Sequence, residues 1–194
     1  MIKINYVQPE YFPTTLLVGV GDLGVSVLDT FRGNIESVGV CFSPEQKEFC
    51  EAPINNSFHT FTNESKFQML PYVTELLNMV DKNVVNKVFI TGDCDNELDA
   101  AVIKLIVNRG KLLGIDFSLV LAKPYAKQET ILPTLLEDLQ TDCEAIVTIE
   151  KNQYCNNKKM VEPVNEADVC LRLVRALKQL EKLLNSRQMP EAIE

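Results

Sequence analysis

The chain has 194 residues, 46% of them hydrophobic and 24% charged, enough for one sizeable core and too few for a second large domain. A formal net charge of -8, from 27 acidic against 19 basic residues, opposes the phosphate contacts that hold nucleic acid or an anionic membrane surface. The six cysteines are widely spaced with no CxxC and only His59 beside them as an imidazole ligand, no apolar run is long enough to cross a membrane, and Met1 to Tyr11 lacks the pattern of a secretory leader. A zinc site is therefore not expected, and a cytoplasmic location is.

Strands and helices alternate from Tyr11 onward. Phe12 to Val20 reads as a strand, Leu23 to Phe31 as a helix, and Ile35 to Phe42 as a second strand. Ser43 to Asn63 is rich in Pro, Asn, Ser and Glu, which predicts a surface segment with one short strand near His59 to Phe61. Phe67 to Val80 has a helical pattern, and Lys87 to Thr91 follows as a strand. In Leu98 to Arg109 the spacing of Leu98, Val102, Leu105 and Ile106 places them on one helical face. Ile115 to Leu121 reads as a buried strand, Thr130 to Leu139 as a helix and Ala145 to Ile149 as a strand.

The last helix is the longest. Asn165 suits its N-cap, Asp168 can serve the same exposed amides, and Val169, Leu173, Val174, Leu177, Leu180 and Leu184 continue for several turns. With Leu171, Ala176 and Leu183 on other faces, such a helix either sits centrally or meets a partner. The order of elements argues for a three-layer, Rossmann-like α/β domain with a mainly parallel sheet, because parallel strands need long crossovers. A single domain over 1–194 with a core of about 12–187 is expected.

Two segments carry chemistry. Gly19, Gly21 and Gly24 follow the first strand and open a helix at the spacing of a dinucleotide fingerprint. An NAD site also wants an acid closing the second strand, but here Val40-Cys41-Phe42-Ser43 stands, with Glu45 beyond a proline. Asp22 lies inside the glycine turn, where it either faces a bound phosphate or caps the helix. The other segment, Thr91 to Asp99, holds Asp93, Asp95, Glu97 and Asp99 at the carboxyl edge of the sheet. These acids either hold a hard cation or favour the positive end of the next helix, and the spacing supports the second. Lys123, at the end of the fifth strand, either neutralises phosphate or ends in solvent. Arg172, Arg175, Lys178 and Lys182 read as a solvated face. P-loop, GxSxG and HExxH motifs are missing, so no catalytic residue and no metal ligand is assigned.

The order of these segments resembles the nucleotide-binding domain of the tubulin and FtsZ superfamily. Leu17 to Gly24 looks like the family's first glycine-rich loop, Val88-Phe89-Ile90 like the strand before the tubulin signature, and Ala100 to Ile103 like the helix after it. Val120 to Tyr125 is similar to the strand ending in Thr-Lys-Pro-Phe, Ala145 to Asn152 to the next strand and its ribose-side loop, and Asn165 to Leu184 to the long central helix. The resemblance implies a GTPase-domain fold with GTP or GDP and magnesium at Gly19, Gly21, Asp22, Gly24, Lys123 and Asp168, with the family's base-recognition residue falling at Ala167 or Asp168.

The family's GGGTG[ST]G loop is replaced here by Gly92 to Asp99, shorter and rich in carboxylates. The chain also ends where the family continues into a second domain. The resemblance therefore implies a retained fold without GTPase activity and with no cofactor, acting through protein contacts or as a homo-oligomer through the 165–187 helix. Two alternatives stand beside it: a module that binds GTP, GDP or another nucleotide, and an NAD-binding Rossmann protein.

Overall fold

A computed structural model describes residues 15–31, 36–41, 57–60, 73–74, 77, 87–93, 97–123, 131–154, 161–163 and 165–187. Six strands form one parallel sheet: β1 (Thr15–Val20), β2 (Glu36–Cys41), β3 (Ser57–Thr60), β4 (Lys87–Asp93), β5 (Asp116–Ala122) and β6 (Ala145–Ile149). Their spatial order is β3-β2-β1-β4-β5-β6. The chain works outward from β1 to β3, then returns to place β4 on the other side of β1, so the winding reverses between β1 and β4. In open parallel sheets such a reversal is where a ligand crevice forms, at the carboxyl ends of the two strands.

Four helices are described over their length: α1 (Gly21–Thr30), α2 (Glu97–Lys111), α3 (Ile131–Leu139) and α4 (Glu166–Arg187). α2 and α3 cover one face of the sheet. Val102, Ile103, Ile106, Leu132 and Leu135 bury there against Leu16, Val18, Ile90, Phe117 and Leu119, and Val73 and Leu77 join the same cluster. α1 and α4 cover the other face, where Leu23, Val27, Leu173 and Leu177 meet Leu17, Phe89 and Val120. The alternation of strand residues between two apolar clusters explains why β1, β4 and β5 read as continuous hydrophobic runs.

Local chemistry fixes the ends. Glu97 and Asp99 sit in the first turn of α2, and Arg109 and Lys111 in its last, matching the helix dipole at both ends. Asn165 caps α4 as expected: its Oδ1 accepts from the Ala167 N–H at 3.1 Å. α4 is then tied to α1 by Cys170, whose single S–H can donate to the Ser26 carbonyl or to the Thr30 hydroxyl, each at 3.4 Å. Burial pushes the Cys170 thiol pKa up, against the opposing hydrogen bond with Thr30.

Each expected strand is present: β3 begins earlier, at Ser57, β4 runs on to Asp93, β5 is offset by one residue, Ala145–Ile149 is unchanged, and 12–14, 35, 42 and 61 lie outside the described residues. Of the expected Phe67 to Val80 helix, Val73, Thr74 and Leu77 are described and are helical; its remainder lies outside the described residues, as do 43–56 and the tail after Arg187. A small antiparallel pair, β7 (Asn152–Tyr154) and β8 (Val161–Pro163), was not foreseen. Strands of three residues are too short to show the two-residue alternation that marks a strand.

The seat of α1 is set by two glycines. A Cβ on Gly24 would lie 2.7 Å from the Thr91 carbonyl oxygen and 2.8 Å from the Gly19 carbonyl carbon, and one on Gly19 would lie 2.4 Å from the Gly24 carbonyl oxygen. These are backbone atoms of β1, α1 and β4, which cannot swing aside as a side chain can. Gly24→Ala is therefore expected to destabilise the domain by about 3 kcal/mol in urea unfolding, despite alanine's better helix propensity. A loss below about 0.5 kcal/mol would contradict this close packing.

Candidate functional site

The crevice between β1 and β4 is bordered by the turn into α1 on one side and the start of α2 on the other. Gly21, the first residue of α1, has φ of 71°, a conformation that suits glycine. Asp22 follows in the first turn and is exposed. The N-cap position is Val20, with no side-chain cap, so Asp22 lies beyond the capping position and adds its charge to the first turn.

Opposite that turn stands Asp99, the third residue of α2. Only 2% of it is exposed, and a Cβ built on Gly21 would lie 3.1 Å from its Oδ1 and 3.3 Å from its Oδ2. The sequence placed Asp99 among acids favouring the start of its own helix. The fold also aims it across the sheet edge at the start of α1, where partial positive charge collects.

Beyond Asp99 the edge carries charges of alternating sign. Asp93 ends β4, Lys123 follows β5, and Glu150 and Lys151 follow β6. Lys151 reaches across the end of β5 to Asp93, with Nζ 2.9 Å from Oδ2, and the two side chains are 5% and 17% exposed. Lys123 pairs with Glu150 nearer the surface, while its backbone N–H donates to the Ile149 carbonyl at 2.8 Å. A buried pair gives little net stability, but removing one partner strands a charge in a poorly hydrated place.

Of the residues singled out from sequence, Gly19, Gly21, Asp22 and Gly24 share the turn into α1, and Lys123 lies on the same edge of the sheet. Asp168 is exposed in the first turn of α4. Cys94, Asp95 and Asn96 lie outside the described residues. Lys151 and Glu150 carry no motif, because nothing in the sequence marks a lysine after a strand as buried. A usable signal was their position, directly after β6 at the same edge as Asp93. Among the described residues, no group of three or more His, Cys, Asp or Glu is placed to hold a metal ion. No helix among them is long and apolar enough to cross a membrane.

No family model matches the chain, and no curated protein matches it in sequence. Solved structures do match in shape. CetZ from Methanosaeta thermophila strain DSM 6194 aligns over 94% of this chain and 57% of its own, with a TM-score of 0.67 at 11% identity. An FtsZ mutant from M. jannaschii aligns over 87% and 56%, with a TM-score of 0.68 at 14% identity. The fold is that of FtsZ and tubulin. A third match is a GTPγS-bound protofilament of CetZ2 from Haloferax volcanii, with a TM-score of 0.60 at 12% identity over 88% of this chain and 57% of that one. The chain thus spans somewhat more than half the length of the FtsZ-like proteins it matches.

In this FtsZ-like domain the ion pair at the sheet edge is open to direct test. Lys151→Met should cost about 3 kcal/mol in urea unfolding by leaving Asp93 without its cation. Adding Asp93→Leu to Lys151→Met should recover most of that loss, since a packed apolar pair replaces a buried ionic one. A double variant no more stable than the single one would contradict the pairing.

Proposed function

We propose that this chain is a non-catalytic FtsZ/tubulin-like domain that acts through protein contacts. The observation that carries the reading is the charge arrangement at the carboxyl edge. Lys123 and Lys151, the lysines found there among the described residues, are each engaged by a carboxylate of the same edge, Glu150 and Asp93. A triphosphate bound there would have to displace those acids or lie among them, at a Coulombic cost that grows as water is excluded. The acidic turn of α2 adds to that cost.

The contact surface in this reading is the outer flank of α4. Its inward residues Val169, Leu173, Leu177 and Leu180 are covered by the domain, while Leu171 and Leu183 are exposed. Arg175, Lys178 and Lys182 are exposed between those leucines, with Arg172 half-buried beside them. A basic stripe flanked by two leucines, on a chain of net charge -8, suits an acidic protein surface, including one on a second copy.

A second reading, a guanine-nucleotide binding module, is favoured by the turn itself. Gly21 adopts a positive φ at the start of α1, as a loop passing close to phosphate requires, and the solved CetZ2 protofilament is GTPγS-bound. The two readings separate by nucleotide titration, which saturates only in the second, and by sedimentation mass. The preferred one predicts no GTP turnover above the uncatalysed rate, and a sedimentation mass, alone or with an acidic partner, that falls when Arg175 and Lys182 are both changed to Glu. GTP hydrolysis that survives purification and depends on Gly21 would contradict it.

A further inference from the structure

We infer that the Asp99 carboxylate is an internal anion that takes the place of a phosphate at the start of α1. The inference rests on the reading of this edge as closed to phosphate, and adds the residue that fills the position. Three observations converge on it. The winding of the sheet reverses between β1 and β4, which is where an open parallel sheet holds its ligand. Gly21 at that point begins a helix in a positive-φ conformation, presenting backbone rather than side chain to the crevice. The Asp99 carboxylate, almost wholly buried, packs against that glycine: all three of its terminal atoms would lie within 3.3 Å of a Cβ placed there.

The residues at this position do not suit the nucleotide that the fold family implies. A phosphate seated at Gly21 would have to occupy the volume that the carboxylate fills and would meet its charge at contact distance. A carboxylate carried on α2 sets a negative charge beside the positive end of α1 without any ligand. Because it is tethered, it competes at an effective concentration that a dissolved phosphate cannot match. Asp99 also joins the two faces of the domain, since α1 and α2 lie on opposite sides of the sheet.

Removing the tethered anion should create a site for a free one. Thermal unfolding of the full chain and of Asp99→Ser, followed while inorganic phosphate replaces chloride at constant ionic strength, tests this directly. The serine variant should melt about 3 °C or more below the parent in chloride, and phosphate should restore most of that difference saturably. The parent should show only the small, unsaturable rise that phosphate gives any protein. Asp99→Asn supplies a second measure, because it keeps the bulk and removes the charge. It should melt below the parent and gain no more from phosphate than the parent does.

A serine variant that folds and is not rescued, or an asparagine variant as stable as the parent, overturns the inference. If the serine variant folds in neither salt, the asparagine result alone decides. Failure here leaves the non-catalytic reading intact, since that is tested by GTP turnover and sedimentation mass of the chain with Asp99 unaltered.

Discussion

The close approach of α1 to the sheet is the constraint on which the rest of the domain depends. Gly19 in β1 and Gly24 in α1 meet backbone to backbone, and Gly24 also rests on the Thr91 carbonyl of β4. With α1 held this low, Leu23 and Val27 reach Leu17 and Phe89, and α4 lies in the same cluster with Leu173 and Leu177. The same seam brings the start of α1 level with the end of β4. The level of α1 at the sheet edge therefore depends on one pair of glycines. Their spacing, which in isolation suggests a dinucleotide site, is accounted for by packing whether or not anything binds.

Electrostatics then decides what the crevice is suited to. A phosphate site needs donors and cations that are free when the ligand arrives. At this edge the Asp93–Lys151 and Lys123–Glu150 pairs are made within the protein, and a buried carboxylate rests on Gly21. The Asp93–Lys151 pair makes displacement costly because breaking it leaves a poorly hydrated charge, whereas the exposed Lys123–Glu150 pair gives way at little cost. On the proposed reading an FtsZ-like fold is kept while its sheet edge is unsuited to phosphate, an instance of the general separation between fold and chemistry.

Much of the fold was legible in the sequence because parallel, doubly covered strands leave a strong mark. The runs at Thr15–Val20, Asp116–Ala122 and Ala145–Ile149 are apolar and bounded by turn residues, and the helices between them keep a three-and-four spacing. The hairpin of β7 and β8 escaped notice for want of length. The site was less legible, since charge pairing is a three-dimensional property. Asp93 and Lys151 are 58 positions apart, and only the register of β4, β5 and β6 brings them within 2.9 Å. Asp99 shows the same difficulty from the other side. By sequence it is an ordinary first-turn acid of α2, and its second role depends on where the winding of the sheet reverses.

The proposal that this sheet edge is shaped against phosphate is tested most directly by calorimetric titration of the unaltered chain with GTP and with GDP, each in the presence of magnesium. The charge arrangement predicts no saturable heat for either nucleotide up to millimolar concentration. Stoichiometric binding of one nucleotide with micromolar affinity would contradict it, and would mean that the acids at the sheet edge give way to the ligand.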